Sequence, residues 1–137
     1  MRILHTSDWH LGQNFYAKSR AAEHEAFLDW LLDAAIAHQV DAIIVAGDIF
    51  DTGVPPSYAR ELYNRFVVKL QAANCPLIVL GGNHDSVATL NESRELLACL
   101  NTQVIASAQL TPETQATLLY RRDGEPGAVL CPVPFLR

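Results

Sequence analysis

Three short groups of polar residues have the chemistry of divalent-cation ligands: Asp8 with His10, Asp48 with Asp51, and Asn83 with His84 and Asp85. Carboxylate oxygens, imidazole nitrogens and an amide oxygen suit hard and borderline cations, and the lack of neighbouring thiols disfavours a soft-metal site. Asp8 and His10 are two residues apart, so an extended stretch presents both to one side and turns Trp9 the other way. Asp48 follows Gly47 on the central loop and is the best candidate for a carboxylate shared between two cations. Gly47, Gly81 and Gly82 permit close or strained backbone approaches around such ions. Each group also has an ordinary structural reading. Asp-x-His recurs without function, Gly-Asp after a strand caps helices, and Asn-His-Asp after two glycines forms an Asx-turn. Their joint appearance at three successive strand ends is what sets them apart.

The strands in question follow from the apolar pattern. Residues 2–5 read as a short buried strand, and residues 20–38 as a helix with Ala22, Phe27, Trp30, Leu31, Ala34 and Ala35 at helical spacing. Glu23, Glu25, Asp29 and Asp33 occupy much of its other face. The β-branched run at 41–46 is expected as a strand buried on both faces beneath crossover helices. Helix 58–73 carries Leu62, Tyr63, Phe66, Val67 and Leu70 at helical spacing, and 76–80 is a third strand. A third helix starts at Thr89 or Asn91 and runs to Leu100, before a fourth strand at 104–106. Residues 116–120 and 128–131 are hairpin strands joined by the polar turn 121–127. The fold class is α/β, a layered and mainly parallel sheet flanked by helices with a C-terminal hairpin. In such a sheet ligands collect outside the carboxyl ends of the strands. His5 and His38 read as structural, and His24 as a surface helical residue.

Composition agrees with a packed domain. The chain has 137 residues, half of them apolar and 18% charged, which fits a globular core better than disorder. Its net charge of -5 excludes a basic nucleic-acid wrapper. Cys75, Cys99 and Cys131 are widely spaced and suit reduced core thiols in a cytosolic protein. Neither a signal core nor an apolar run of the ~20 residues needed to cross a bilayer occurs. The final residues, 132–137, hold two prolines and two large apolar side chains with no element after them. They allow two readings, a fragment or a terminus packed across the sheet edge.

Asp8-Trp9-His10, Gly47-Asp48-Ile49-Phe50-Asp51 and Gly82-Asn83-His84-Asp85 resemble, intact and in order, the D-x-H, G-D-x-x-D and G-N-H-D/E signatures of the calcineurin-like metallophosphoesterase superfamily. Residues 3–12 and 131–137 further resemble the SbcD family of bacterial nuclease subunits. The resemblance implies that residues 1–137 are the N-terminal portion of one metallophosphoesterase-type nuclease domain. It matches Asp8 and His10 to ligands of one metal, Asp48 to the bridging carboxylate and Asn83 to a ligand of the other metal. His84 matches the catalytic imidazole near the leaving group, while Asp51 and Asp85 match positions that order the loops and His84. Two divalent cations are implied, Mn²⁺ in preference to Mg²⁺, and they would change the formal charge from -5 to -1. The family completes its metal shells with histidines from later G-H and G-H-x-H motifs, and no histidine follows His84 here.

The implied activity is hydrolysis of DNA phosphodiesters at double-stranded ends and hairpins, in recombination and repair. The implied setting is the cytoplasm, as a homodimer with an SbcC-type coiled-coil ATPase and without membrane attachment. Arg20, Arg60, Arg65 and Arg94 are candidates for DNA phosphate contacts, and helices 58–73 and 91–100 for partner contacts. For those helices, ordinary burial against the sheet is the favoured alternative. Two other functions stand beside this reading: a metallophosphoesterase acting on small phosphoesters, and a noncatalytic metal-binding or structural fragment.

Overall fold

The computed structural model describes residues 1–108 and 116–136. In chain order its elements are β1 (Ile3–Thr6), β2 (Asn14–Phe15), β3 (Lys18–Ser19), α1 (Ala21–Ala37), β4 (Ala42–Ala46) and α2 (Ser57–Ala72). There follow β5 (Leu77–Leu80), α3 (Val87–Asn91), α4 (Arg94–Ala98), β6 (Thr102–Ile105), β7 (Thr117–Tyr120) and β8 (Pro126–Leu130). Four strands form one sheet in the order β1-β4-β5-β6. Every neighbouring pair is parallel, with Ile3 opposite Ala42, Ile43 opposite Leu77, and Leu77 opposite Thr102. The α/β class read from the sequence, with its parallel sheet, helices and antiparallel hairpin, is the one the chain adopts.

Alternation along the strands divides the apolar residues between two faces. Ile43, Val45, Leu77, Val79 and Val104 join Leu28 and Leu31 of α1, Leu62, Phe66, Val67 and Leu70 of α2, Leu90 of α3 and Leu97 of α4 in the main core. Ala42, Ile44, Ile78, Leu80 and Ile105 instead cluster with Leu119 of β7, with Leu130 of β8 packed against them. Helices therefore cover one face and the β7–β8 hairpin the other, which corrects the expectation of helices on both faces of β4. A strand sandwiched between layers is apolar on both sides whatever covers it, so its composition does not distinguish the two.

Further corrections have similar causes. β1 is an edge strand, with Ile3 42% exposed and His5 also exposed, because only one neighbour and one sheet face shield it. In α1 the core face is His24, Leu28, Leu31 and Ala35, whereas Trp30 is 62% exposed. That helix carries apolar residues on several sides, so the position of the sheet sets its phase. His24 thus stands on the core face rather than the surface. The third helix is broken into α3 and α4 by a turn at 92–93, and β6 begins two residues before the expected strand. Of the cysteines only Cys75 is buried, where desolvation pushes its thiol up to about 11, while Cys99 and Cys131 are exposed.

A second hairpin has no counterpart in the sequence reading: β2 and β3 pair Asn14 with Ser19 and Phe15 with Lys18. Its two turn residues, Tyr16 and Ala17, take φ of 46° and 61°, as a two-residue hairpin turn of the type I′ class requires. Neither side chain advertises that conformation.

The C-terminal hairpin is secured by one buried carboxylate. Asp41 Oδ2 accepts from the Arg2 amide at 2.5 Å and Oδ1 from the Arg122 amide at 2.7 Å, while Arg122 Nη1 donates to Val40 O at 3.3 Å. Among the described residues no helix is long and apolar enough to cross a membrane.

Candidate metal centre

The loops after β1, β4 and β5 meet at one end of the sheet. The first two continue side by side past the strand ends: the Asp8 amide donates to Gly47 O at 3.1 Å, His10 to Asp48 O at 3.0 Å and Leu11 to Ile49 O at 2.9 Å. Asp51 N returns to Leu11 O at 3.1 Å. Within this ladder Asp8, His10 and Asp48 have φ of 56°, 47° and 51°, a left-handed conformation that costs a non-glycine residue about 1–3 kcal/mol. Trp9 anchors the strained stretch. Its ring is 4% exposed and meets Phe27 and Phe66 edge-on, and its indole N–H donates to Thr6 Oγ1 at 3.0 Å.

The third loop is locked to the second by Asp85. This buried carboxylate accepts from the amides of Ile49 (3.2 Å), Phe50 (3.0 Å) and Gly82 (2.8 Å). Gly82 must be glycine for this approach, because a Cβ there would collide with the backbone and carboxylate of Asp48. The clamp leaves Asp48 Oδ1 accepting from the His84 amide at 2.9 Å.

Side chains from the first two loops then converge. His10 Nε2 lies 3.9 Å from Asp8 Oδ1 and 4.0 Å from Asp48 Oδ2, and ligand atoms of all three residues fall within 4.8 Å of one another. These separations exceed a hydrogen bond but suit oxygens and a nitrogen arrayed at ~2.0–2.6 Å around a common ion. His10 Nδ1 is buried and faces Asp51 Oδ1 at 3.3 Å, without a hydrogen-bonded partner among the described residues. Asp51 Oδ1 is itself placed by Gln13 Nε2 at 3.2 Å, and Gln13 by Arg20 Nη1 at 2.5 Å. His10, Asp51 and His84 form a second group within 4.8 Å.

His84 stands 4.9 Å from His10, ring edge to ring face, and its Nδ1 lies 2.9 Å from the Asp51 carbonyl oxygen. That hydrogen bond is the main reason its pKa is raised above the ordinary histidine value; desolvation opposes it, and the carboxylates of Asp48, Asp51 and Asp85 add to it. Asn83 lines a cleft of about 290 Å³ with Asp8 and Asp48, and Val133, Pro134 and Phe135 also line it. All the residues singled out in the three loops are therefore gathered at one end of the sheet. Asp85 differs from the rest in having both carboxylate oxygens turned to main-chain amides, whereas Asp48, also buried, turns only Oδ1 that way. The donor set fits divalent cations: carboxylates crowd two imidazoles without direct bonds to neutralise them.

Two features of this region lie outside the sequence reading. His24 is buried near His10 and Asp51, and burial, followed by Arg20, lowers its pKa. The cleft wall at 133–135 comes from the far end of the chain, held by the Phe135 amide donating to Gly81 O at 2.9 Å. No local signal marks either. The candidate phosphate-binding arginines, for their part, already have carboxylate partners: Arg20 meets Glu23 (2.6 Å), Arg60 meets Glu92 (3.5 Å), and Arg65 meets Glu25 (2.8 Å) and Glu61 (2.5 Å). Arg94 lines a different cleft, beside Asn101 and Thr102 at the start of β6.

Known proteins share this sequence closely. The chain is 74% identical over 137 residues to the SbcD subunit of nuclease SbcCD from Escherichia coli K12, covering all of this chain and 33% of that protein. It is 38% identical over 144 residues to the SbcD protein of Rhodobacter capsulatus, covering 36% of it. The SbcD protein of Bacillus subtilis is 41% identical over 97 residues, or 70% of this chain and 25% of that protein. The chain thus spans about a third or less of the length of these relatives. The sequence pattern of the calcineurin-like phosphoesterases matches residues 1–118, which include the three site loops, and the chain belongs to that family.

Proposed function

We propose that this chain is the N-terminal portion of a nuclease domain that hydrolyses DNA phosphodiesters with two divalent cations, Mn²⁺ in the first instance. The observation that carries this reading is the convergence of Asp8, His10 and Asp48 within 4.8 Å at the strand ends, with His84 alongside. Asp8 and His10 Nε2 would hold one cation, Asn83 the other, and Asp48 would share its carboxylate between them. The later histidines with which the resembled family completes both shells have no counterpart among the residues after His84 in this sequence. When bound, such cations stabilise charge on phosphoryl oxygens and make a water acidic enough to serve as nucleophile near neutral pH.

The chain's own residues do the positioning. Asp51 faces His10 Nδ1 and so directs Nε2 toward Asp8 and Asp48, as outer carboxylates do for metal-binding histidines. His84, with Nδ1 committed to the Asp51 carbonyl, keeps Nε2 as the position from which a proton passes to the departing oxygen. Asp85 holds the second and third loops in register beneath these groups. The nuclease names of the similar proteins support a nucleic acid as substrate, and the proposed form is DNA at double-stranded ends and hairpins. The subunit names support assembly with a partner subunit; the proposal is a homodimer with an SbcC-type coiled-coil ATPase, acting in recombination and repair in the bacterial cytoplasm.

The test is cleavage of end-labelled duplex and hairpin DNA by the full-length protein in Mn²⁺. His84→Ala should lower the rate by about 10²–10⁴-fold while Mn²⁺ binding persists. Full activity of that variant sinks the mechanism, and faster hydrolysis of p-nitrophenyl phosphate than of DNA replaces the substrate with a small monoester.

A further inference from the structure

The cleft has two chemically different walls. Asp8, Asp48 and Asn83 make a polar side, and Val133, Pro134 and Phe135 an apolar one. A phosphate group uses only the first. The second is held in place by its own backbone: Pro132 and Pro134 are buried, whereas Val133 is 69% and Phe135 50% exposed. Two prolines fix φ beside the exposed positions, and the Phe135 amide is tied to Gly81 O at 2.9 Å, two residues before Asn83. The backbone therefore holds Phe135 at the cleft, with half of the residue exposed among the described residues. A ring so placed is prepared before any ligand arrives, which reduces the entropy lost on binding.

Resting on the phosphodiesterase reading above, we infer that Phe135 is a specificity-determining residue that stacks on a nucleobase adjoining the phosphate bound at Asp8, Asp48 and Asn83. A nucleotide ester has both chemistries that the cleft can receive, an anionic phosphate and a flat π-face, and stacking of this kind tolerates any base. An alkyl phosphodiester has only the first. Phe135 accordingly selects nucleoside-bearing diesters over plain ones and contributes nothing to the bond-breaking step itself.

The experiment compares two esters with the same leaving group, p-nitrophenyl thymidine 5′-phosphate and methyl p-nitrophenyl phosphate, using the full-length protein with Mn²⁺. Phe135→Ala is expected to lower kcat/KM for the thymidine ester about tenfold or more and to leave the methyl ester within about twofold. Phe135→Leu, which keeps the apolar bulk without a flat ring, should show the same selective loss and covers the event that the alanine variant folds poorly. Phe135→Trp should retain the preference. Equal losses on both esters, or no loss on the thymidine ester, overturn the inference and leave the phosphodiesterase reading standing. If the wild-type protein hydrolyses neither ester nor DNA, that reading falls and this one falls with it.

Discussion

The two ends of the parallel sheet each hold a buried aspartate that accepts main-chain amides, and they use it differently. At the amino ends of the strands Asp41 joins the Arg2 and Arg122 amides, fastening the first strand and the C-terminal hairpin to the start of β4. At the carboxyl ends Asp85 joins Ile49, Phe50 and Gly82, fastening one loop to another. Around Asp41 the neighbouring polar groups also bond to main chain, as Arg122 does to Val40 O and Arg2 to His38 O. Around Asp85 the neighbouring acids Asp8 and Asp48 turn carboxylate oxygens toward His10 across 3.9 and 4.0 Å, Asp48 also accepting from the His84 amide through its other oxygen. One carboxylate holds the architecture, and the others are thereby left to bind something else.

Substitutions should separate these roles. Asp85→Ala leaves three amides without this acceptor and should cost about 3 kcal/mol or more in urea unfolding of the full-length protein, with loss of Mn²⁺ binding. An unchanged midpoint would erase the distinction between clamp and ligand. Asp48→Asn should do the reverse, since its amide oxygen can still accept from His84 N; stability holds while Mn²⁺ affinity, read by calorimetry, falls more than about a hundredfold.

Asp41→Asn should cost about 1–2 kcal/mol and leave Mn²⁺ affinity unchanged. It also carries a pH signature. The Arg2 amide above all, and the Arg122 amide after it, hold the Asp41 carboxyl below the usual carboxylate range against an opposing desolvation. Its folded-state pKa therefore lies under the unfolded value of about 3.9, so its stabilisation is complete above that value and is lost as pH falls through the folded one. Acid unfolding of Asp41→Asn should have a shallower limb below about pH 4 than the wild type. The smallest effect belongs to Arg65→Ala, whose exposed pairs with Glu25 and Glu61 should be worth less than about 1 kcal/mol in the same melt.

How much of this can be read in the residue order depends on the range of the interaction. The strands at 42–46 and 77–80 and the helix at 57–72 follow from period and composition, which are properties of near neighbours. The phase of α1 does not, because Trp30 and Ile36 are as apolar as Leu28 and Leu31, and only the sheet decides which pair is covered. The burial of His24 escapes the sequence for the same reason. The β2–β3 hairpin turns on two non-glycine residues at positive φ, and left-handed Tyr16 and Ala17 have no compositional signature.

By itself the sequence determined which donors were present and in what local order: an acid and an imidazole two apart, an acid after a glycine, an amide beside an imidazole, each after an apolar strand. Those spacings survive folding because each loop's own backbone carries them. Only the tertiary structure decided that Asp85 would be buried against the amides of Ile49 and Phe50, 36 and 35 positions away in the chain, while Asp8 and Asp48 would face His10. The same holds for the placing of Phe135 beside Gly81. Burial and hydrogen-bond saturation depend on what distant segments bring to the same point, and no local pattern encodes that meeting.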